Sequence, residues 1–316
     1  MKILITGGAG FIASHIADAY IEQGHKVVIV DNLSTGNRDN INPKAKFYHI
    51  DICDSKLENI IKTEKPDIVN HHAAQISVPV STKDPIFDAE VNILGTINIL
   101  QNSVKYDIKK VIFSSTGGAI YGDADEYPTT ENYVPKPVSP YAIAKFSVEK
   151  YLHYYNHEFG LNYLVLRYSN VYGPRQIPHG EAGVVSIFIE NILQSKSSNL
   201  YTYPENPDGM IRDYVFVGDV VKANLIALER GDNEVVNIGI NTETTTGTLY
   251  HQIAELMNSE IKPKRMGARP GDIHKSCLDI SKANKILDWY PKTTLKNGIK
   301  ETIEFFQNKQ SRKEIK

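Results

Sequence analysis

The first 31 residues carry the pattern that most constrains the fold of this chain. A short apolar run, Lys2–Thr6, leads into a glycine-rich segment at residues 7–10, and an amphipathic helix is predicted from there through roughly Gln23. Gly8 and Gly10 let the backbone turn tightly and approach a pyrophosphate, whose charge the first amides of the following helix can bind. A strand, a glycine turn and a helix in this order predict a dinucleotide-binding unit.

Asp31 indicates which dinucleotide this unit binds. It follows a second apolar strand, predicted over residues 26–30, at close to the twenty-residue spacing expected for a carboxylate that binds the adenosine ribose. A 2′-phosphate would meet the negative charge of Asp31, and residues 32–36 offer no arginine to compensate. The pattern therefore favours NAD. The alternative is a glycine turn without a ligand, which would leave the register of strand, glycines, helix and acid unexplained.

Apolar strands alternate with helical segments through the first half of the chain. We predict strands over residues 46–50, 67–70, 109–115 and 161–167, with helices in the intervals. This order predicts an α/β fold with a doubly wound parallel sheet of the Rossmann type, whose ligands bind outside the carboxyl ends of the strands. After Arg167 the alternation weakens, which predicts a smaller C-terminal α/β lobe that closes over the edge of the sheet.

We therefore expect two lobes within the 316 residues, 41% of which are apolar. Residues 1–168, together with 213–238, are predicted to form the dinucleotide-binding domain. Residues 169–212 and 239–316 are predicted to form the lobe that binds the substrate.

Charge and composition argue against several classes of partner. The net charge of −2 predicts no nucleic acid or other polyanion as a partner, and no apolar stretch is long enough to span a membrane. Met1 leads directly into a strand without a signal peptide, so we expect a cytoplasmic protein. Cys53 and Cys277 belong to no cluster with metal-ligand spacing, which predicts free thiols and no metal site.

Tyr141 and Lys145 are the candidate acid–base pair. Their four-residue offset on a predicted helix places a phenol and an ammonium on one face. Lowering the pKa of a tyrosine from near 10 to about 7 requires roughly 4 kcal/mol of differential stabilisation of the phenolate. A neighbouring lysine and a cationic nicotinamide could supply it. A tyrosine and a lysine at this spacing also occur in many helices without any catalytic role.

Together these motifs make the chain resemble the extended short-chain dehydrogenase/reductase family, and within it the nucleotide-sugar epimerases of the UDP-glucose 4-epimerase type. The resemblance covers nearly the whole chain. Its landmarks, in order, are residues 6–12, 31–36, 51–52, 71–75, Asn92, 114–116, Tyr141 with Lys145, 167–176, 212–214 and 269–272.

The resemblance implies an isomerase that interconverts UDP-glucose and UDP-galactose. Bound NAD takes a hydride from C4 of the sugar while Tyr141 removes the hydroxyl proton, and the transient 4-keto sugar turns and is reduced again without net redox change. Lys145 holds the nicotinamide ribose and lowers the pKa of Tyr141. The third catalytic residue supplies a hydroxyl to the reacting sugar oxygen; this role falls on Thr116, with Ser115 as the rival, because the following segment is one residue longer than usual.

The resemblance also implies a set of residues that contact the cofactor. They are Gly7, Gly10, Phe11, Ile12, Asp31, Asn32, Ser34, Thr35, Gly36, Asp51, Ile52, Ala73, Ala74, Gln75, Asn92, Ser114, Tyr141, Lys145 and Tyr168. His71 and His72 are interpreted as ordinary residues at the end of a strand. Ile76 stands where some epimerases have a lysine that reaches the nicotinamide.

A second set is implied for the UDP-sugar, which the C-terminal lobe would bind. Asn170 would hold the UDP phosphates, Arg212 and Arg269 would clamp them, and Asp272 would accept from the uridine ribose. The backbone amides of Gly183 and Val184 would replace an asparagine that related enzymes have nearby. Ser276 occupies the position where some epimerases carry a tyrosine that blocks bulky substituents at C2. UDP-GlcNAc and UDP-GalNAc are therefore expected to enter as well.

Other readings remain open. Related 4,6-dehydratases carry an Asp-Glu pair where this chain has Gly117 and Gly118, which disfavours dehydration. UDP-glucuronate decarboxylase and uronate epimerase are the alternatives within the family. A non-catalytic dinucleotide-binding sensor is the alternative of another class, and a free NAD-dependent reductase would accumulate NADH. Apolar residues on more than one face of the helices predicted over 85–101 and 141–159 predict a homodimer.

Overall fold

The computed structural model describes residues 1–178, 183–268 and 273–314. Strands and helices alternate through most of it. The strands in the described residues are β1 (Lys2–Thr6), β2 (Lys26–Asp31), β3 (Lys46–His49), β4 (Ile68–His71), β5 (Lys110–Thr116), β6 (Asn162–Tyr168), β7 (Asn170–Tyr172), β8 (Asn199–Thr202), β9 (Ile211–Arg212), β10 (Tyr214–Phe216), β11 (Glu234–Ile238), β12 (Thr244–Thr245) and β13 (Lys264–Gly267).

Most of the helices lie between successive strands in the sequence. They are α1 (Phe11–Glu22), α2 (Leu57–Glu64), α3 (Val78–Lys83), α4 (Pro85–Ala89), α5 (Gly95–Lys105), α6 (Pro140–Phe159), α7 (Val184–Leu193), α8 (Val217–Ala227), α9 (Thr246–Leu256), α10 (Ser281–Leu287) and α11 (Leu295–Glu314). A short 3₁₀ helix covers Arg38–Asn40, and a π-helical segment, Glu90–Leu94, joins α4 to α5. No described helix is long and apolar enough to cross a membrane.

Seven strands form one parallel sheet in the order β11-β6-β5-β4-β1-β2-β3. The chain runs outward from β1 through β2 to β3 and then returns to β4 on the other side, so the strand order reverses next to β1. This is the doubly wound parallel sheet that the sequence predicts, and the fold class is confirmed. The reversal opens a crevice at the carboxyl ends of β1 and β4, which is where ligands of such sheets bind.

Two apolar layers cover the sheet because successive side chains of each strand point to opposite faces. Ile3 and Ile5 of β1 pack into the layer that contains α1, α8 and α10. Leu4, between them, packs into the layer that contains α2, α5 and α6. All three side chains are fully buried. The sheet is therefore a rigid floor beneath the crevice.

A third apolar cluster lies in the C-terminal half. Phe188 of α7, Tyr250 of α9 and Phe306 of α11 pack together there with Tyr172 and Tyr214. The described residues of this half also form three two-stranded sheets, β7 with β10, β12 with β9, and β13 with β8. The chain leaves the main sheet after β6, builds part of this cluster and returns to the sheet edge as β11.

Candidate active site

The glycine turn after β1 forms a narrow backbone cradle. Gly7 has a φ of +70°, and a Cβ on it would lie 2.7 Å from the backbone nitrogen of Ala73. A Cβ on Gly8 would lie 2.7 Å from the side chain of Ile29. The positive φ that the tight turn requires therefore lies at Gly7, one residue before the predicted position, and Gly8 is needed for close packing against β2.

The first turn of α1 completes the cradle. Gly10 is its N-cap, and no described side chain caps the helix or places an acid in its first turn. The amides of Phe11 and Ile12 are therefore available to an anion. On the facing side, the backbone nitrogens of His72 and Ala73 donate to Oγ1 of Thr6 at 3.2 and 3.1 Å. A cradle with no room for side chains and with exposed first-turn amides fits the pyrophosphate of a dinucleotide.

Asp31 lies at the end of β2 beside the glycine turn. Its side chain is buried, and its two oxygens accept from the backbone nitrogens of Ala9 at 2.9 Å and Leu33 at 2.7 Å. A Cβ on Gly36 would lie 2.8 Å from Oδ1 of Asp31. These contacts hold the carboxylate at the mouth of the cradle, where a ribose would meet it.

The other predicted residues of the adenosine side lie around Asp31. Asn32 donates to Asp51 at 2.7 Å, and the backbone nitrogen of Ser34 donates to Asn32 at 3.0 Å. Ser34 and Thr35 are exposed, whereas Ile52 is buried. The ends of β2 and β3 thus bring this group together.

The loop after β4 is held by amide hydrogen bonds. Asn92 of the π-helical segment accepts from the backbone nitrogen of Gln75 at 2.9 Å and donates to its carbonyl oxygen at 3.0 Å. The Gln75 amide donates to Asp88 of α4 at 2.7 Å. Together these bonds fix residues 73–75, including Ala74, next to Gly7. Ile76, one residue further, is about half exposed.

Tyr141 and Lys145 face the carboxyl end of β5 from the start of α6. Ser139 caps this helix by accepting from the backbone nitrogen of Ala142, and Pro140 occupies its first turn. Nζ of Lys145 lies 5.9 Å from the centre of the Tyr141 ring and donates to the carbonyl oxygen of Ser114 at 2.9 Å. The helix start therefore sets both side chains over the crevice.

The pKa of Tyr141 shifts in the direction opposite to the one expected from the sequence. Burial lowers the pKa of Lys145 to about 8, although the carboxylates of Asp88 and Glu149 act in the opposite direction. Burial raises the pKa of Tyr141 above its usual value, and Asp88 raises it further. The described side chains alone therefore do not make Tyr141 more acidic.

The two candidate hydroxyls point to opposite faces of β5. Ser115 is buried and donates to Oε1 of Glu149 at 2.6 Å. Glu149 is held in turn by the guanidinium of Arg167, with contacts of 3.0 and 2.5 Å. Thr116 is half-buried on the other face, where a Cβ on Gly118 would lie 3.9 Å from its Oγ1.

The predicted substrate residues Asn170, Arg212 and Val184 lie on β7, on β9 and at the start of α7. Oδ1 of Asn170 would lie 3.4 Å from a Cβ on Gly118, and it is buried without a hydrogen-bond partner among the described residues. Arg212 of β9 donates to the carbonyl oxygen of Ile273 at 2.6 Å. Gly183, with a φ of +104°, is the N-cap of α7, which begins at Val184.

Ser276 is buried near Arg212, and its backbone nitrogen donates to the carbonyl oxygen of Ile211 at 3.1 Å. Arg269 and Asp272 lie outside the described residues.

The histidines at the end of β4 are neutral. Burial lowers the pKa of His71 well below its usual value and that of His72 to about 3, and Lys145 lowers both further. His71 lies between the hydroxyls of Thr6 and Thr96, at 2.7 and 2.8 Å. His72 stacks on Tyr168 with ring centres 6.1 Å apart.

Three charged residues of the site were not predicted as functional from the sequence. Asp88, Glu149 and Arg167 are all buried next to the Tyr141–Lys145 pair or to β5. Glu149 lies four residues after Lys145, just as Lys145 lies four residues after Tyr141. This spacing puts all three on one face of the helix and could have identified Glu149 from the sequence. In the described part of the chain, no three His, Cys, Asp or Glu side chains are arranged to hold a metal ion.

The chain is also similar to known proteins. Residues 3–239 match the model of the NAD dependent epimerase/dehydratase family. The chain is similar to a UDP-glucose 4-epimerase of Mycolicibacterium smegmatis, with 40% identity over 98% of this chain and 99% of that protein.

Two solved structures are also similar. A UDP-glucose 4-epimerase of Thermotoga maritima, solved with UDP-glucose, has a TM-score of 0.95 and 48% identity over 98% of this chain and 100% of that one. A UDP-N-acetylglucosamine 4-epimerase of Methanobrevibacter ruminantium, in complex with UDP-N-acetylmuramic acid, has a TM-score of 0.91 and 36% identity over 98% of both chains.

The match extends over most of the chain and includes the cradle, the acid after β2 and the helix that carries the tyrosine and lysine. It confirms the resemblance to the nucleotide-sugar epimerases. This protein belongs to the NAD-dependent epimerase/dehydratase family.

Proposed function

We propose that this protein is a UDP-glucose 4-epimerase that interconverts UDP-glucose and UDP-galactose with a tightly held NAD. The observation that carries the proposal is the placement of Tyr141 and Lys145 over the strand ends, beside a glycine cradle that admits no side chain. An acid–base pair next to a dinucleotide site is what reversible oxidation of a sugar hydroxyl requires.

The residues around β1 and β2 would hold the dinucleotide. The amides at the start of α1 would bind its pyrophosphate, and Asp31 would accept from the adenosine ribose. Asn32 and Asp51 would line the adenosine side. Bound NAD would supply the hydride acceptor for C4 of the sugar, the donor for the return step, and a positive charge on the nicotinamide.

Tyr141 would act as the base that removes the proton from the C4 hydroxyl. Its phenol is half-buried next to the ammonium of Lys145, which the carbonyl oxygen of Ser114 holds in place. Burial and Asp88 raise the pKa of Tyr141, so the described side chains do not supply the charge that would make this phenol acidic, and the positively charged nicotinamide of bound NAD would supply it.

Thr116, rather than Ser115, would hold the reacting sugar oxygen. The Ser115 hydroxyl donates a hydrogen bond to the buried carboxylate of Glu149. Thr116 faces the opposite side of β5, where Asn170 of β7 also lies close to Gly118. The buried Oδ1 of Asn170, which has no hydrogen-bond partner among the described residues, supports a substrate-binding role for this residue. Arg212, Gly183 and Val184 would bind the UDP portion, as would Arg269 and Asp272.

The same arrangement supports the predicted division into lobes. Residues 1–168 with 213–238 would form the NAD-binding domain, since they contribute the seven strands of the sheet. Residues 169–212 and 239–316 would form the UDP-sugar-binding lobe around the third apolar cluster.

The Gly117 segment argues against dehydration. A Cβ on Gly117 would collide with the side chain of Leu278, so the chain leaves no room for an acid at this position. Decarboxylation or epimerisation of a UDP-uronate remains the alternative within the family.

One experiment separates the proposal from its alternatives. Purified protein is mixed with UDP-galactose without added cofactor, and the nucleotide sugars are followed by chromatography. We expect UDP-glucose to form, with no accumulation of NADH, and a loss of activity in Tyr141→Phe with NAD still bound. A sensor gives no product, a free reductase accumulates NADH, and a uronate enzyme acts only on UDP-glucuronate.

UDP-GlcNAc is a second candidate substrate. Ser276 stands where some epimerases have a tyrosine that blocks bulky groups at C2, and the similar M. ruminantium structure is named a UDP-N-acetylglucosamine 4-epimerase. No turnover of UDP-GlcNAc by an enzyme active on UDP-glucose would reject this specificity.

We further infer that the protein works as a homodimer. The α4 and π-helical segments pack against α6 in one layer, and this layer exposes Ile86, Leu94, Tyr154 and Phe159. Burial of these side chains against a second copy would remove the apolar patch from water. The free thiols of Cys53 and Cys277 support a reducing, cytoplasmic location.

A further inference from the structure

Asp88 is a buried carboxylate at the edge of the site to which the reaction gives no role. Its side chain is 1% exposed and lies on α4, which packs against α6. Oδ1 of Asp88 accepts from Gln75 at 2.7 Å and from Asn92 at 3.0 Å. Both donors are neutral amides, and no described cation lies within ion-pair distance of the carboxylate. A buried charge with only amide partners requires a compensating charge nearby.

Lys145 is a buried cation that likewise needs a counter-charge. Its ammonium is buried, and the only hydrogen-bond acceptor shown for it within the described residues is the carbonyl oxygen of Ser114. Among the residues that the structure describes, five titratable groups interact with it: Tyr141 and Glu149 from its own helix, His71 and His72 from the end of β4, and Asp88 from α4. Within the described part of the chain, these are the groups that can supply the counter-charge of the lysine.

Elimination leaves Asp88: burial raises its pKa, and the hydrogen bonds from Gln75 and Asn92 and the charge of Lys145 oppose that rise. Glu149 is already paired with Arg167 through two short contacts and also accepts from Ser115. The two histidines are neutral because burial lowers the pKa of each. Tyr141 is neutral in the chain by itself.

We propose that Asp88 is a positioning residue, which provides the buried counter-charge of Lys145 and, through Gln75, anchors the loop that faces the glycine cradle. The inference rests on the proposed function only for its effect on turnover. The charge pairing itself is a property of the protein.

The negative charge of Asp88 acts in the same direction on the ionisation of Lys145 and of Tyr141. A negative charge near both groups makes it harder to remove the proton from Lys145 and from Tyr141. Removal of the charge should therefore shift both ionisations to lower pH. Asp88→Asn keeps an oxygen that can accept from Gln75 and Asn92, so it removes the charge with little change in shape.

Asp84 provides the matched control. It caps the same helix by accepting from the backbone nitrogen of Phe87 at 3.0 Å, but it is exposed. Asp84→Asn removes the same charge from α4 at a site where water screens it.

Two readouts on the holoenzyme test the proposal. The first is the pH profile of kcat/KM. The second is the pH midpoint for acetylation of Lys145 by acetic anhydride, located by peptide mass spectrometry, which does not require turnover. In Asp88→Asn we expect both limbs of the profile and the acetylation midpoint to move to lower pH by about half a unit or more, with no shift in Asp84→Asn. Unchanged midpoints in a folded Asp88→Asn variant would overturn the proposal.

A stability cycle covers the case in which Asp88→Asn folds poorly. The change in Tm that Asp88→Asn causes is measured by thermal unfolding, once in the wild-type protein and once in the Lys145→Met variant. If the two charges compensate each other, the substitution lowers Tm less in the Lys145→Met background. An equal loss in both backgrounds, or failure to fold in both, would overturn the pairing. Because this cycle does not depend on activity, it separates failure of this proposal from failure of the proposed function.

Discussion

The hydroxyl of Ser115 donates a hydrogen bond to Oε1 of Glu149 at 2.6 Å, on the face of β5 opposite to Thr116. This contact commits Ser115 to a buried network that includes Arg167. It therefore separates two neighbouring hydroxyls that the sequence offers as rivals for one catalytic role.

The two hydroxyls should respond differently to substitution. Ser115→Ala removes a bond to a buried charge and should cost about 1.5–3 kcal/mol of unfolding free energy, with turnover close to that of the wild type. Thr116→Ala should lower kcat about 10²-fold with little change in Tm, and Thr116→Ser should restore activity because it restores the hydroxyl. Calorimetry and steady-state kinetics check both. A large kcat loss in Ser115→Ala alone would reverse the assignment.

The cradle predicts a position-specific effect of adding one methyl group. Gly7→Ala places a Cβ against the backbone of Ala73, in addition to the strain of a positive φ. Gly24→Ala is the matched control, because Gly24 has a φ of +81° but no heavy atom within 4 Å of the position that a Cβ would occupy. Both variants should lose about 1 kcal/mol or more of stability. Only Gly7→Ala should also lose bound NAD, measured as nucleotide released on denaturation.

The ionisation of Glu64 should make the free energy of unfolding depend on pH. Burial opposes its ionisation, but hydrogen bonds from Lys46, Tyr48 and Lys2 outweigh burial and lower its pKa to about 2. Since this folded-state pKa lies below the usual 4.5, Glu64 stabilises the fold above about pH 4.5. The contribution is lost as the pH falls from 4.5 towards 2.

The measurement is the unfolding free energy of Glu64→Gln at pH 7 and pH 3. The loss relative to wild type should be larger at pH 7. Glu58→Gln is the control, because Glu58 forms an exposed pair with Lys105 and should matter little at either pH. An equal loss at both pH values in Glu64→Gln would show that its contacts do not depend on its charge.

The homodimer is tested on the exposed face of the π-helical segment. Leu94 is 58% exposed there, and Leu94→Asp would place a charge in the proposed interface. We expect light scattering to show a dimer for the wild type and a monomer for this variant. Val134→Asp, which changes an exposed apolar residue outside these helices, should remain dimeric. A wild-type monomer at micromolar concentration would refute the assembly.

The parts of this molecule that depend on short stretches of chain were predictable from the sequence. The strand, glycine turn and helix at residues 2–22, and Asp31 after the next strand, are each set by local pattern. The predicted strands agree with β3 to β6 to within one residue at either end. The doubly wound order then follows from the alternation of strands and helices.

What the sequence did not show depends on side chains that meet from separate segments. Asp88 belongs to the site only because α4 packs on α6 and Gln75 reaches it from the loop after β4. The lack of room for a side chain at Gly7 depends on the close approach of Ala73, 66 residues later. The choice between Ser115 and Thr116 depends on which face of β5 Glu149 covers.

The fate of the hydrogen at C4 distinguishes an epimerase with a captive cofactor from every alternative. UDP-galactose carrying deuterium at C4 is incubated with the purified protein without added nucleotide, and the UDP-glucose is analysed by mass spectrometry and NMR. We expect product with deuterium still at C4, because one captive cofactor would take the hydride and return it. Product with protium at C4, or accumulation of deuterated NADH in place of UDP-glucose, would contradict it.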